Sequence, residues 1–192
     1  MLIGFLACIL GYCIGSIPFA IGIQTWCGLD LKTTGSGNLG TTNMYRQGGW
    51  KPAVSLLLLD ASKAAIPTAL AMHYFSSPWW HIGVGLMAIV GHIWSVFLGF
   101  KGGKGVAPSL GFLLVLSPII WLSLAGMATV VIGITRYVSV ASLLGALLAP
   151  GMAYALGLPM AYISAILSLS VLVIIKHRSN IHRLLNGTEN KV

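Results

Sequence analysis

The 192-residue chain is 57% hydrophobic and only 7% charged, with eleven Lys and Arg against three acids for a net charge of +8. A soluble domain carries roughly 25% charged residues, so this composition excludes a water-exposed surface and assigns residues 1–192 to one membrane-embedded domain. Asp30, Asp60 and Glu189 are too few for the oxygen-rich sites of Mg²⁺ or Ca²⁺, and Cys8, Cys13 and Cys27 lack metal or redox spacing, so no metal, cofactor or disulfide is expected.

Apolar runs stand at about 2–26, 53–73, 79–100, 106–135, 138–157 and 159–176, each near the roughly 20 residues that cross a bilayer core. The first has no basic n-region and no small-residue cleavage site, which predicts a retained helix. The loop after it carries Lys32, Arg46 and Lys51, whereas the linker Ser76 to Pro78 carries no Lys or Arg. The excess of basic residues on the cytoplasmic side puts the former inside and the latter outside. Lys101, Lys104 and Arg136 also belong inside, yet one uninterrupted crossing between them would put Arg136 outside. A break at Ser117-Pro118 removes the conflict, because Pro lacks an amide donor and clashes with the preceding turn; it predicts two short helices. From Arg136 the chain goes out to Gly157-Leu158-Pro159 and back to Lys176, His177 and Arg178. The expectation is an all-α, polytopic helical bundle of seven transmembrane segments, with the N-terminus external and the C-terminus cytoplasmic.

Three polar segments fall on the predicted inner face. Thr33 to Arg46 contains Gly35, Gly37 and Gly40 in G-x-G-x-x-G spacing, but an apolar helix precedes it instead of the strand that a dinucleotide fingerprint needs. What remains is a turn rich in backbone N–H groups and hydroxyls, able to surround a phosphate, followed by the planar fork of Arg46. An ordinary Gly/Ser/Thr connecting loop has the same composition, although the stretch from Thr25 to Pro52 exceeds the roughly 12–15 residues beyond which loops are usually functional or disordered. Phe100-Lys101-Gly102-Gly103-Lys104-Gly105 is not a Walker A loop, since Gly follows Lys104. Its glycines allow close backbone approach to an anion ahead of a helix N-terminus; a tight, positively charged hairpin is the plainer reading. If the last apolar helix continues, His177, Asn180, Ile181 and Leu184 share a face; a basic amphipathic tail on the lipid surface has that pattern too.

Within the apolar runs, Asp60 and Lys63 are three residues apart and close enough to pair. Asp60 and His92 lie at similar depths, roughly 12–14 Å from their loops at 1.5 Å per residue, which predicts a structural network of Asp60, Lys63 and His92. Ser139 and Ser142 after Arg136, and Glu189 in the tail, are further network candidates.

Taken in order, Gly15-Ser-Ile-Pro18, Ser36-Gly-Asn-Leu-Gly-Thr-Thr-Asn-Met-Tyr-Arg46, Gly91-His92, Phe100-Lys-Gly-Gly-Lys-Gly-Val-Ala107 and the His177-Arg-x-Asn180-Ile-x-Arg-Leu184 pattern resemble the bacterial acyl-phosphate:glycerol-3-phosphate acyltransferase (PlsY) family across essentially the whole chain. Thr41 stands where the family often has Ala, and Trp94-Ser95 where Phe-Pro is more usual. The resemblance implies transfer of a fatty acyl group from acyl phosphate to the first hydroxyl of glycerol 3-phosphate at the bacterial inner membrane, with a soluble partner enzyme supplying the acyl phosphate. The H-x-x-x-x-D pattern of other glycerolipid acyltransferases is absent, since neither Asp30 nor Asp60 lies five residues after a His. On this reading Ser36, Lys104, His177 and Asn180 are catalytic, and Gly35, Gly37, Asn38, Thr41, Asn43, Arg46, Gly102, Gly103 and Gly105 bind substrate. The expected partners are the two phosphorylated substrates and membrane lipid, not nucleic acid. The alternative is an organic-anion or phosphate transporter with Asp60, Lys63 and His92 at the midplane; the absence of internal repeats and the clustering of motifs on one face count against it.

Overall fold

The computed structural model describes residues 1–192, whose regular structure is all helical and without strands. The chain forms two compact units, Met1–Val115 and Leu116–Val192.

In the first unit, α1 (Leu2–Ser16) and α2 (Phe19–Trp26) make up the first apolar span. They are two helices where the sequence predicted one. Pro18 has no amide N–H and pushes its predecessor out of the helical region, and Ile17 is accordingly extended at φ −57°, ψ 122°. The long connection that follows contains a helix that apolar periodicity did not reveal, α3 (Thr41–Gly48). Gly49 at φ 78° then turns the chain into α4 (Trp50–Tyr74). After a short linker come α5 (Pro78–Ile93), a 3₁₀ turn at Val96–Leu98, and α6 (Val106–Leu116).

Helix α1 packs along α5 in parallel: Gly4 meets Trp80, Gly11 meets Val84 and Gly15 meets Ala88. Small residues are needed at these points because lipid offers no hydrophobic drive between helices, which associate instead through close backbone packing. A side chain on Gly15 would collide with the Ala88 carbonyl. Helix α4 runs the other way, with Thr68 beside Gly85 and Asp60 beside His92. The glycine-rich segments that follow α2 and α5 therefore leave this unit at the same end.

In the second unit, α7 (Pro118–Thr135), α8 (Val138–Ala155) and α9 (Met160–Lys176) run up, down and up, followed by α10 (Arg178–Leu185). Ser117 caps α7 by accepting from the Ile120 amide, and Pro118 occupies the first turn, where its missing donor costs nothing. The predicted break at Ser117-Pro118 is present. Its two products are unequal: α7, at 18 residues, is long enough to cross, whereas α6 has only 11. Arg136, in the left-handed region at φ 64°, ends α7 and leaves a two-residue joint to α8.

By length and composition five helices qualify as membrane spans, or six if α9 and α10, bent by 54°, are counted as one; α6 falls below that length, so the count of seven does not follow from helix length. Ile119, Leu122, Val130 and Ile134 on α7 are exposed, as side chains that face lipid must be.

Candidate functional site

The polar loop of the first unit is seated by apolar anchors. Leu31, Leu39 and Met44 bury against Ala20 of α2 and Ala53 and Leu56 of α4. The organising side chain is Asn43, on the first turn of α3 and almost fully buried. Its Oδ1 accepts from the Ser36 amide at 3.1 Å, and its Nδ2 donates to the carbonyls of Leu31 and Thr34, both at 3.1 Å. Gly35 at φ 61° packs so tightly against Asn43 that any side chain there would strike the Oδ1. Upstream, Asp30 accepts from the Lys32 amide and the Thr33 hydroxyl at 3.1 and 2.7 Å, and its carbonyl accepts from the Thr34 hydroxyl. The Thr33 hydroxyl foremost, then the Lys32 amide, hold the Asp30 carboxyl below its ordinary value.

This geometry revises the expected flexible phosphate nest. The amides of Ser36 and Gly37 are committed, the latter to the Thr34 carbonyl, and Asn43 is spent on shaping the loop. The Ser36 side chain and Arg46 are partly exposed. Gly40 and Asn38 precede α3, and the Thr41 hydroxyl is buried without a hydrogen-bond partner at its first residue.

The second segment is corrected in the same way. The Gly102 amide donates to the Ile93 carbonyl at 3.0 Å, and the Gly103 amide donates to the His92 carbonyl at 3.2 Å. Neither is left for an anion. These glycines permit a close backbone approach, since a side chain on Gly102 would strike the His92 carbonyl and one on Gly103 the His92 ring. Gly105, at φ 86°, fits against Ile93. Lys104 itself is partly exposed, directly ahead of α6. Ser109, in the first turns of α6 and unremarked in the sequence, has a buried hydroxyl without a partner.

Behind this loop the network foreseen from helix spacing is assembled. Lys63 Nζ lies 2.6 Å from Asp60 Oδ1, and His92 Nδ1 lies 3.6 Å from the same oxygen. All three residues are buried. The Lys63 ammonium also sits over the Phe19 ring at 4.9 Å, a contact that the break between α1 and α2 makes possible. Ser16, Phe19, Asp60, Lys63, His92 and Gly103 line a small recess.

In the second unit, the continuous helical face expected for His177 and Asn180 does not form. Helix α9 ends at Lys176, and His177 occupies the bend. Its Nδ1 lies 2.8 Å from the Val173 carbonyl. A carbonyl only accepts, so Nδ1 carries a proton and donates it to the Val173 carbonyl. Asn180 is buried on α10 and donates to Glu189 Oε1 at 2.7 Å. The same carboxylate accepts from Ser139 at 2.9 Å and from Arg183 at 2.7 Å. Of the two serines named from sequence, Ser139 therefore joins the network; the Ser142 hydroxyl turns back to the Val138 carbonyl. Burial pushes the Glu189 carboxyl up, but the hydrogen bonds from Asn180, Arg183 and Ser139 outweigh it, leaving a net lowered pKa.

The profile of a family described as glycerol-3-phosphate acyltransferase matches residues 5–187. Among curated relatives, the glycerol-3-phosphate acyltransferase of Synechococcus sp. (strain JA-3-3Ab) is 45% identical over 188 residues, covering 97% of this chain and 92% of the relative. That of Anaeromyxobacter dehalogenans (strain 2CP-1 / ATCC BAA-258) is 43% identical over 199 residues, covering 100% and 98%. Crystal structures of PlsY, an integral membrane glycerol 3-phosphate acyltransferase, are similar throughout. The glycerol 3-phosphate form has a TM-score of 0.94 at 37% identity, covering 98% of this chain and 95% of that one. The lysophosphatidic acid form has a TM-score of 0.92 at 36% identity, covering 98% and 94%. With the membrane helices, the motif order and the full-length matches in agreement, this chain belongs to the glycerol-3-phosphate acyltransferase family.

Proposed function

We propose that the whole chain is one acyltransferase domain that moves a fatty acyl group from acyl phosphate to the sn-1 hydroxyl of glycerol 3-phosphate, releasing lysophosphatidate and phosphate. The observation that carries this reading is the likeness to PlsY in both a glycerol 3-phosphate and a lysophosphatidic acid form. Those two molecules differ by one fatty acyl group, so they stand as acceptor and product of a single transfer. Acyl phosphate as donor rests on the family resemblance and on chemistry. It is already activated by a good leaving group, so the protein's task is to position two phosphates and stabilise developing negative charge.

Lys104 and the Ser36 hydroxyl are the proposed holders of the acyl phosphate. The amides of Gly102 and Gly103 drop out of that role because they are bonded to α5; the N-terminal end of α6 takes their place as the source of positive potential. Arg46 is proposed to grip the phosphate of glycerol 3-phosphate with its planar fork, and His177 and Asn180 to orient that substrate, on the strength of the resemblance. The acceptor oxygen forms a bond to the acyl carbon while the bond from that carbon to the phosphate oxygen breaks. The hydroxyl proton goes to the departing phosphate or to Nε2 of His177, the ring nitrogen that does not face the Val173 carbonyl. The transporter alternative is not favoured, given the family to which the chain belongs.

The test is purified protein in detergent with labelled glycerol 3-phosphate, offered acyl phosphate or acyl-CoA separately. Lysophosphatidate is expected from acyl phosphate. Product from acyl-CoA alone would overturn the donor assignment, and an ester trapped on Ser36 in acyl phosphate without acceptor would overturn direct transfer. In a bacterial cell the proposed setting is the inner membrane, with a soluble enzyme supplying acyl phosphate.

A further inference from the structure

We infer that His92, held from behind by Asp60, is the positioning residue for the Lys104 loop, acting through the glycine pair that precedes the lysine. Three observations converge on the end of α5. First, the loop is fastened to this one point: Gly102 and Gly103 donate to the carbonyls of Ile93 and His92, and a methyl group on Gly102 would strike the His92 carbonyl. The Gly103 contact is with the imidazole ring itself, so the ring sets how deep the backbone before Lys104 can sit.

Second, the ring is not at liberty to move. Its Nδ1 faces the Asp60 carboxylate at 3.6 Å, and that carboxylate is fixed by Lys63 at 2.6 Å. At 3.6 Å the contact is longer than a hydrogen bond, and it sets the ring edge against the carboxylate in a buried setting. Third, the backbone on either side of His92 is tied to α1. The Ser16 hydroxyl donates to the Gly91 carbonyl at 3.3 Å, the Tyr12 hydroxyl to the Trp94 carbonyl at 2.8 Å, and the Ser95 hydroxyl to the Ser16 carbonyl at 2.6 Å. The loop bearing Lys104 thus rests on an over-determined anvil, with the ring as its contact face. An intramembrane Asp, Lys and His are costly groups to keep, and this arrangement gives them a task in the reaction without contact with substrate.

The inference rests on the reading that Lys104 engages the acyl phosphate, and its test separates the two. kcat and KM for acyl phosphate and for glycerol 3-phosphate are measured for His92→Ala, Gly103→Ala, the double variant and Lys104→Ala, together with hydrogen exchange of peptides covering residues 100–105. Gly103→Ala leaves the Asp60 and Lys63 pair untouched, so it reports on the contact even if His92→Ala folds poorly. A misplacement of about 1 Å at a reacting group costs on the order of 10²-fold, and each single variant is expected to lose about that much in kcat/KM for acyl phosphate, with the KM for glycerol 3-phosphate unchanged. In the double variant the added methyl occupies the space the ring leaves, so it should be no worse than His92→Ala alone, and His92→Asn, which restores a planar polar side chain between Asp60 and Gly103, should recover part of the loss. Exchange in residues 100–105 should rise in His92→Ala. Losses that multiply in the double variant, or exchange that stays at the parent level, would overturn the positioning role whatever Lys104 does. An unchanged KM for acyl phosphate in Lys104→Ala, with altered exchange in His92→Ala, would instead sink the Lys104 assignment and leave the ring as the loop's seat.

Discussion

At the residue scale, Asn43 shows how one side chain converts a polar loop into a fixed surface. It satisfies an amide and two carbonyls that lie 7, 12 and 9 residues away in sequence. Removing it leaves those backbone groups without that partner, and for the buried Leu31 carbonyl, which water cannot reach, the cost is about 1–3 kcal/mol. Asn43→Ala is therefore expected to cost about 2 kcal/mol of stability and to raise both KM values; thermal unfolding and steady-state kinetics check it. A retained melting temperature with normal kinetics would show that the loop holds its shape by other means. Asn43 was legible in the sequence as a polar residue in a phosphate-type segment, but its role was not. From composition it reads as a donor for substrate; in the fold it serves its own backbone.

At the scale of elements, the α1 and α5 contact is set by residues that carry no side chain. Gly15→Ala forces a methyl into the Ala88 carbonyl, so the helices must separate, whereas a methyl on Gly22 meets nothing. Overpacking of this kind typically costs about 1–3 kcal/mol. Thermal unfolding should fall for Gly15→Ala and stay level for Gly22→Ala; equal melting would refute the tight crossing. The tail is held differently, by charge. Asn180, Arg183 and Ser139 all donate to Glu189, and their hydrogen bonds keep its carboxyl acidic despite burial. The stabilisation from a lowered carboxylate pKa is fully present above the unfolded value of about 4.3 and is lost as the pH falls through the lower folded value. Exchange protection of residues 178–189 should therefore drop in that acid window, and Glu189→Gln should remove the drop along with part of the protection at neutral pH. A tail whose protection is the same in both proteins at every pH would contradict the clamp.

At the scale of the molecule, the open quantity is the number of crossings. Helix α6, with 11 residues at 1.5 Å each, spans about 16 Å of a hydrocarbon core near 30 Å thick. If it nevertheless counts as a crossing, as the distribution of Lys and Arg demands, the two ends of the chain lie on opposite sides with Val192 in the cytoplasm. Reporters fused before Met1 and after Val192 are expected to report outside and inside respectively; both on one side would remove α6 from the count. The sequence by itself determined the membrane class, the helical fold, the break at Ser117-Pro118 and the Asp60 and Lys63 pair, because hydropathy, proline chemistry and helical spacing act locally, whereas the break at Pro18 emerged only in the fold. The same local rules singled out the segments that carry Ser36, Lys104 and the glycines, and full-length identity to acyltransferases agrees with the family those segments resemble. Only the tertiary structure decided which donors remain for a ligand. The amides of Gly102 and Gly103, the side chain of Asn43 and the amide of Asn180 are each claimed by partners remote in sequence or across a turn. A hydrogen-bonding group buried in folding must find a partner, and which one it finds is fixed by packing that no local pattern records.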